Sequence, residues 1–271
     1  MSPPSSERVV TIGVLALQGA FHEHIQRFTS LSSLATLNVR AHAVRRPEQL
    51  EHCDALVIPG GESTAIALGM RNAGLFEPVL AWVAAGRPVW GTCAGMILLA
   101  RVATGGKRGG QELLGGVDIQ VGRNGFGSQV NSFETSIAIP AVGDEPFTGV
   151  FIRAPVVDAL LPDAGSVCMP AGIQVSAAQK SQDGARPPIE ILGLLPSDAM
   201  PTGPAGAAPL AWTASHSRPA TPVLGTRPQS DAQIVALRQG NALVTSFHPE
   251  LTADTRLHAY FVHLAAEATT Q

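Results

Sequence analysis

A cysteine at a predicted tight turn is the first feature of this sequence that suggests chemistry. Cys93 is the centre of the pentapeptide Gly-Thr-Cys-Ala-Gly at 91–95, between the apolar runs 88–90 and 96–100. This order predicts a buried strand, a sharp turn and a buried helix, the nucleophile-elbow pattern with cysteine in place of serine. A Cβ at either glycine would clash in such a turn, and the helix N-terminus would favour the reactive thiolate. The pentapeptide alone is equally compatible with a structural cysteine.

A nucleophilic cysteine needs a base, and the base needs a group that orients it. His248 directly follows the apolar run 242–247, so it should lie at the end of a strand, where sheet proteins place catalytic groups. Glu250 is two residues further on, and in an extended segment such side chains project to the same side. We therefore predict a Cys93–His248–Glu250 triad in preference to a structural histidine. The histidines that fall in predicted helices and receive no role are His22, His24, His258 and His263.

The reaction also needs donors for the negative oxygen of a tetrahedral intermediate. Gly60 and Gly61 follow the buried run 55–59, and glycines there allow backbone N–H groups to approach a ligand. The backbone N–H of Ala94, directly after the nucleophile, is the usual second donor. We therefore predict an oxyanion hole formed by Gly61 and Ala94. Without the cysteine elbow, the simpler interpretation is that the two glycines only turn the chain.

Alternating strand and helix patterns surround these residues. Apolar strand runs at 9–17, 39–44, 55–59 and 88–90 alternate with helical periodicity at 20–34, 63–72 and 76–85. This alternation predicts an α/β fold with a mostly parallel central sheet and helices on both faces. Shorter strand patterns within 115–177 are expected to form a few antiparallel flanking strands. A Gln-Gly-Asn turn predicts a hairpin of 233–238 with 242–247, and Thr252 is expected to cap the final helix.

The sequence predicts a single domain with two poorly patterned segments. Residues 1–8 lack an apolar stretch and are expected to form a flexible tail, with no signal peptide. Residues 9–268 are expected to form the domain, interrupted at about 181–228 by an insertion rich in proline, glycine and alanine. Few charges and no periodicity favour a surface insertion there over an arm that binds a partner.

Composition excludes several classes of function. With 271 residues, 45% of them apolar, the chain can bury a large core. A net charge of −3 gives no electrostatic case for binding nucleic acid or an anionic membrane, and no apolar run is long enough to span one. Three scattered cysteines without a Cys-x-x-Cys pair suggest neither a disulfide framework nor a metal site. A reducing, cytoplasmic location is therefore expected.

Taken together, the motifs Gly-Thr-Cys-Ala-Gly, Pro-Gly-Gly-Glu-Ser and Ser-Phe-His-Pro-Glu resemble those of class I (triad) glutamine amidotransferases, whose fold is flavodoxin-like. Over residues 9–177 and 232–265 the chain is similar to one branch, the glutaminase subunits of pyridoxal 5′-phosphate synthase (the PdxT/SNO family). The segments that carry this resemblance are 13–19, 59–64, 123–127, 132–134, 145–155 and 246–252. The Phe-Ile-Arg-Ala-Pro and Arg-Asn-x-Phe-Gly segments single out the branch, since the elbow and His-Pro-Glu identify only the superfamily.

The resemblance implies hydrolysis of L-glutamine to L-glutamate and ammonia through a glutamyl thioester, with no cofactor and no metal. It implies Cys93 as nucleophile, His248 as acid and base, and Glu250 as the group that orients His248. The positions that match glutamine-binding residues are Gly61, Glu62, Ser63, Arg123, Ile152 and Arg153. Glu62 and Arg123 would complement the α-ammonium and α-carboxylate of glutamine, although alone they suggest a helix N-terminal glutamate and a solvated loop arginine. The nearby residues that depart from the common family pattern are Gly125, Ser128 and Asn131.

The resemblance also implies a partner, the synthase subunit, a (β/α)8 barrel that receives the ammonia in a hetero-oligomeric complex and activates the glutaminase. Gln18 ends one predicted strand and Gly60 follows another of the same sheet, so we predict that Gln18 couples the partner to the oxyanion hole. Other functions to weigh are a different class I amidotransferase, a cysteine-elbow peptidase-like enzyme and a non-catalytic binding subunit. Gly-Gly-Glu-Ser and Arg123 suit a small amino acid rather than a peptide, and the complete triad argues against a non-catalytic role.

Overall fold

The computed structural model describes residues 8–34, 37–105, 111–123, 132–161, 167–168, 186–196, 199 and 232–270. Within them the chain forms a nine-stranded sheet, a three-stranded sheet and a two-stranded hairpin, together with six α-helices. None of the helices described is long and apolar enough to cross a membrane.

The strands are β1 (Arg8–Leu15), β2 (Ser33–Leu34), β3 (Leu37–Val44), β4 (Ala55–Ile58), β5 (Val89–Thr92), β6 (Ala100–Thr104), β7 (Val117–Gly122), β8 (Ser132–Ile137), β9 (Phe147–Ile152), β10 (Val156–Leu160), β11 (Val167–Cys168), β12 (Ile189–Leu195), β13 (Gln233–Gln239) and β14 (Ala242–Thr245). The helices are α1 (Phe21–Ser30), α2 (Pro47–Leu50), α3 (Ser63–Asn72), α4 (Phe76–Ala84), α5 (Ala94–Leu99) and α6 (Arg256–Ala268). Two 3-10 turns cover Pro140–Val142 and Pro249–Leu251.

Five parallel strands form the middle of the large sheet, in the spatial order β3-β1-β4-β5-β14. Numbered along the chain among themselves, these strands run 2-1-3-4-5, the order of flavodoxin-like folds. β4, β5 and β14 are buried at every position, because helices cover both faces of the sheet. The α/β fold predicted from the alternating pattern is confirmed.

Each face of the sheet has its own apolar core. On one face α3, α4 and α5 pack against the sheet through side chains such as Met70, Trp82 and Leu98. On the other face α1, α6 and the β8–β9 hairpin contribute Phe28 and Phe261, among others. These two layers hold the carboxyl ends of β1, β4, β5 and β14 at one edge, where ligands bind in open α/β sheets.

The flanking strands differ in part from the prediction. The β13–β14 hairpin forms as expected, with Gly240 at φ +57° in the turn. β8 and β9 are antiparallel, as are β7 and β10, but β6 pairs with β7 in parallel. The buried helix predicted after the elbow forms as α5, but it ends at Leu99, and the chain becomes extended at Ala100 to form β6.

Two boundaries at the ends of the domain need correction. Arg8 belongs to β1 and not to the predicted tail, because its guanidinium donates to the Ala266 carbonyl at 2.6 Å and ties the strand to α6. Helix α6 begins at Arg256 after Thr255, so Thr252 does not cap it. The hydroxyl of Thr252 instead donates to the Pro249 carbonyl at 3.2 Å.

The predicted insertion is too wide at its start. Residues 189–195 form β12, a full strand of the large sheet that pairs antiparallel with β13 and is mostly buried. Its short apolar run predicts no strand on its own, because it stands among prolines and glycines and does not alternate between apolar and polar residues. Of the other predicted insertion residues, 186–188, 196 and 199 are described, whereas 181–185, 197–198 and 200–228 lie outside the described residues, as do the tail residues 1–7.

Candidate active site

The cysteine elbow forms as the sequence predicts. Cys93 has φ 48° and ψ −100°, a conformation that few residues other than glycine adopt and that recurs at functional sites. A Cβ on Gly91 would come within 2.5 Å of Gly95, and one on Gly95 within 2.1 Å of the Ile58 carbonyl oxygen. The two glycines therefore allow the turn to pack against itself and against β4.

The structure brings the predicted triad together. His248 Nδ1 lies 2.7 Å from Glu250 Oε1, and the same imidazole forms a side-chain hydrogen bond with Cys93. Cys93 and His248 are each 7% exposed, and Glu250 is fully buried. The contact is made from the 3-10 turn Pro249–Leu251 and not from the extended segment that the sequence argument assumed.

The electrostatics of the triad favour an ion-paired histidine. Burial acts to lower the pKa of His248, but its hydrogen bonds with Cys93 and Glu250 outweigh burial and raise that pKa to about 10. Burial likewise acts to raise the pKa of Glu250, yet its interactions with His24 and His248 lower it. An imidazolium between a sulfur and a carboxylate can act as a general acid in acyl transfer.

The Gly60-Gly61 loop packs directly on the triad. A Cβ on Gly60 would lie 2.3 Å from His248 Cε1 and 3.4 Å from Cys93 Cβ, so glycine is what permits the loop to touch the imidazole. Ala94, the first residue of α5, has a backbone N–H that no preceding helical turn can accept. The loop and the elbow therefore bring the backbone of Gly61 and Ala94 to the same edge as Cys93.

The chain after β1 holds this loop in place. Gln18 Oε1 accepts a hydrogen bond from the Glu62 N–H at 2.9 Å, and the Ala20 N–H donates to the Gly60 carbonyl at 3.0 Å. Gly19, at φ +93°, approaches so closely that a Cβ there would stand 1.8 Å from the Gly60 oxygen. The predicted meeting of the two strand ends is confirmed.

The predicted glutamine-binding residues form a second cluster, which is more exposed. Glu62 is the N-cap of α3, and its carboxylate accepts from the Thr64 N–H at 3.1 Å and the Ala65 N–H at 2.6 Å. Burial acts to raise the pKa of Glu62, but these backbone hydrogen bonds and the charge of Arg123 lower it. Ser63 begins the helix beside it and is buried. Gly125, Ser128 and Asn131 lie outside the described residues.

Gln111 also belongs to this cluster, although no motif in the sequence predicts it as a site residue. Its Oε1 accepts from Ser63 Oγ at 3.1 Å, from Thr64 Oγ1 at 3.3 Å and from Arg123 Nη2. No spacing or motif connects Gln111 with these residues, so nothing in the sequence could have revealed it.

The β8–β9 hairpin supplies the remaining predicted residues. The His248 N–H donates to the Val150 carbonyl at 2.8 Å, which ties β9 to the triad. Cys93 Sγ lies 3.9 Å from the Ile152 carbonyl oxygen, so the end of β9 borders the nucleophile. Arg153 follows with φ 47° and an exposed side chain.

Comparison with known proteins agrees with this geometry. The model of the SNO glutamine amidotransferase family matches residues 14–183 and 220–267. A probable pyridoxal 5′-phosphate synthase subunit PDX2 of Arabidopsis thaliana is 40% identical over 265 residues, which cover 95% of this chain and 87% of that protein. A pyridoxal 5′-phosphate synthase subunit PdxT of Herpetosiphon aurantiacus is 40% identical over 255 residues, which cover 94% of this chain and 100% of that protein.

A solved structure described as a crystal structure of glutamine amidotransferase has a similar fold. Its TM-score is 0.63 at 34% identity, and the match covers 94% of this chain and 98% of the other. The fold expected from the sequence and the fold of this relative are therefore of the same type.

Proposed function

Since the chain belongs to the SNO glutamine amidotransferase family, we propose that it is the glutaminase subunit of a pyridoxal 5′-phosphate synthase and that Cys93 is its nucleophile. The observation that carries the residue assignment is the hydrogen-bonded series from Cys93 through His248 to Glu250 at the carboxyl edge of the sheet. The reaction is hydrolysis of L-glutamine to L-glutamate and ammonia, and the ammonia passes to the synthase subunit.

Binding of glutamine would use the exposed cluster beside the elbow. Arg123 would pair with the α-carboxylate of glutamine. The Glu62 carboxylate uses one lone pair of each oxygen to cap α3, and its other lone pairs would accept from the α-ammonium. Gly61 and Ser63 would line the same side, and Arg153 the opposite rim. The Ile152 carbonyl, next to Cys93 Sγ, suits the N–H groups of the substrate carboxamide.

The reaction then needs only groups of the protein and water. Cys93 Sγ attacks the side-chain carboxamide carbon, and the N–H groups of Gly61 and Ala94 stabilise the resulting oxyanion. His248 donates a proton to the departing nitrogen, which leaves as ammonia, and a γ-glutamyl thioester remains on Cys93. A water molecule that gives a proton to His248 hydrolyses the thioester to L-glutamate. Glu250 keeps the imidazole oriented throughout.

The variant Cys93→Ala tests this assignment. Hydrolysis of glutamine should fall by at least about 10³-fold, because the covalent route is lost. Synthesis by the assembled complex from added ammonia should continue, because only the nitrogen supply has been removed. The matched control is Cys53→Ala, which removes a cysteine far from the elbow. Undiminished ammonia release from Cys93→Ala would refute the assignment.

We also propose that the partner is a (β/α)8 barrel in a hetero-oligomeric complex and that Gln18 couples it to catalysis. The hydrogen bond from the Glu62 N–H to Gln18 Oε1 links β1 to the peptide that would carry the oxyanion donor of Gly61. A partner that contacts Gln18 could therefore reorient this peptide at little cost, since glycine has wide conformational freedom.

This coupling predicts a stimulated enzyme. One missing oxyanion donor typically costs about 10²–10³ in rate, so adding the synthase subunit should raise ammonia release by at least roughly tenfold. Gln18→Ala should reduce that rise while leaving the triad in place. Equal rates with and without the synthase subunit would exclude this role for Gln18.

The domain organisation is also a proposal. We infer one amidotransferase domain over residues 9–268, with Arg8 added to its first strand and an insertion at about 181–228 within which residues 189–195 form β12. We also propose a cytoplasmic location, which the free thiols at Cys53 and Cys93 favour.

A further inference from the structure

Two histidines that no motif singled out lie directly behind the triad. His24 on α1 and His258 on α6 are both fully buried. His24 Nε2 lies 3.4 Å from Glu250 Oε2 and 3.2 Å from Thr92 Oγ1, while His24 Nδ1 lies 3.1 Å from His258 Nε2. A continuous polar series therefore runs from His248 through Glu250 and His24 to His258, inside the aromatic core.

The aromatic core leaves these rings little freedom. Trp90 makes edge contacts with His24 at 5.4 Å and with His258 at 5.0 Å between ring centroids. Phe28 makes a further edge contact with His258 at 4.9 Å. The aromatic rings pack closely around both imidazoles. The polar atoms of the imidazoles therefore have to find partners in each other, in Thr92 and in Glu250.

Both histidines are neutral near pH 7. Burial lowers the pKa of His24 to about 3, although the charge of Glu250 partly opposes it. Burial, with the charge of Arg27, lowers the pKa of His258 to about 3 as well. A neutral imidazole has one donor and one acceptor nitrogen, so the series has only two possible directions.

In the first direction every donor points toward the carboxylate. His24 Nε2–H then lies 3.2 Å from Thr92 Oγ1 and in electrostatic contact with Glu250 Oε2 at 3.4 Å, and His258 Nε2–H donates to His24 Nδ1. Within the described part of the chain, the only ring nitrogen then left without a partner is His258 Nδ1, as an acceptor. Among the polar atoms of these side chains, a neutral acceptor nitrogen is the one that costs least free energy when it is buried without a hydrogen bond.

In the second direction two buried polar atoms are left in unfavourable surroundings. The Thr92 hydroxyl donates to His24 Nε2, and His24 Nδ1–H donates to His258 Nε2. Glu250 Oε2, which has no hydrogen-bond partner among the described residues, then faces the lone pair of His24 Nε2 at 3.4 Å instead of an N–H. His258 Nδ1–H is also buried without an acceptor, so this direction is disfavoured.

We propose that His24 is a positioning residue for the catalytic glutamate, turning its Nε2–H toward Glu250 Oε2, and that His258 fixes the tautomer of His24 that can do so. Glu250 then has a hydrogen bond with His248 on Oε1 at 2.7 Å and an electrostatic contact with the N–H of His24 on Oε2 at 3.4 Å. This arrangement keeps the carboxylate ionised and prevents its rotation, so that His248 keeps its Nδ1–H toward Glu250 and its Nε2 toward Cys93. The role rests on the proposed triad.

The titratable groups around the carboxylate determine the pH behaviour. The titratable groups that face the Glu250 carboxylate or the two buried imidazoles are Cys93, His248, His24, His258 and Arg27. Arg27 donates from Nε to the backbone carbonyl of Glu250 at 3.2 Å. Removal of the His24 imidazole leaves the other groups in place and raises the pKa of Glu250, because a favourable electrostatic contact with the charged form is lost. The acid limb of activity should therefore move to higher pH.

The first test measures the tautomers of both rings and requires no turnover. The full-length protein with ¹⁵N-labelled histidine is studied by NMR at pH 7, and signals are assigned from the spectra of His24→Gln and His258→Gln. We expect both rings to be neutral with the proton on Nε2. A proton on Nδ1 of His24 would overturn the proposal, even if Cys93→Ala confirmed the glutaminase function.

The second test compares two replacements of His24. In His24→Leu, kcat should fall about 10–100-fold and the acid limb of kcat/KM should rise by about one pH unit, the size expected when a buried charge loses one close polar partner. In His24→Gln, whose amide can donate to Glu250, most of kcat and the original acid limb should return. The matched controls are His22→Leu and His22→Gln, since His22 is exposed on the same helix.

Stability must be separated from positioning. Thermal unfolding of every variant is recorded, and His258→Leu serves as a milder perturbation that leaves His24 in place if His24→Leu does not fold. We expect His258→Leu to show a smaller shift of the acid limb in the same direction. An unchanged acid limb in a folded His24→Leu or His258→Leu, or equal pH profiles for His24→Leu and His24→Gln, would refute the positioning role.

Discussion

The proposed reactive end of the site (Cys93, His248, Glu250 and His24) and its proposed recognition end (Glu62, Ser63, Gln111 and Arg123) are built in different ways. At the reactive end each side chain is at least nine-tenths buried and lies at the end of a central strand or on a helix packed against it. At the recognition end Glu62 is exposed, and the side chains hydrogen-bond to one another and to the start of α3.

The difference separates chemistry from selection. Groups that must hold their geometry through the reaction gain from a rigid, water-poor surrounding, which removes the cost of reorganisation. Groups that bind a charged amino acid must exchange partners, so they are better placed where water can replace each lost contact. Substitutions should therefore change mainly kcat at the reactive end and mainly KM at the recognition end.

The largest expected effect is that of Glu250→Gln at the reactive end. The amide can donate to His248 Nδ1, which would leave the imidazole in the wrong tautomer and lower kcat about 10³–10⁴-fold at little change in KM. Steady-state ammonia release measures both constants, and Glu51→Gln, an exposed residue, is the matched control. A change confined to KM would contradict the separation of the two ends.

A smaller loss is expected from Gly60→Ala. The added Cβ would stand 2.3 Å from His248 Cε1, so the imidazole must shift, and a displacement of that kind can cost about 10²-fold in rate. Gly69→Ala is the matched control, since its Cβ would meet nothing closer than the Leu17 side chain at 3.3 Å. Equal kcat values for the two variants would show that Gly60 does not position the histidine.

Arg123→Lys should act at the recognition end. Lysine keeps the charge but loses the planar fork that pairs with a carboxylate, so KM for glutamine should rise roughly 10–100-fold while kcat stays within about threefold. Arg40→Lys, at an exposed position on β3, is the control. A fall in kcat with unchanged KM would move Arg123 into the reactive end.

The mildest probe compares the cysteines of the elbow and of the core. Burial raises the pKa of Cys53 to about 12, so at neutral pH it stays a thiol and its labelling should increase as pH approaches that value. Cys93 lies beside a protonated imidazole and should react with limiting iodoacetamide at least roughly tenfold faster at pH 7. Peptide mass spectrometry gives both rates, and preferential labelling of Cys53 would contradict the expectation.

The sequence by itself determined the class of fold and predicted the three residues of the proposed triad. Strand and helix periodicity report which residues are buried, and that pattern is local, so the parallel core could be predicted from it. The elbow and His-Pro-Glu are short motifs whose chemistry depends on adjacent residues. The structure therefore contains both motifs close to the geometry that the sequence predicts, although Glu250 contacts His248 from a 3-10 turn and not from an extended segment.

The tertiary structure decided which distant polar groups meet. The sequence around His24, Gln111 and His258 contains no motif that predicts their contacts. Helical periodicity places the two histidines on helices, but it does not show which residues of other elements they meet. Their roles follow from helices and loops that converge on one sheet edge, where buried polar atoms must find partners. The same holds for β12, whose place in the sheet depends on its pairing with β13 and not on the proline-rich sequence around it.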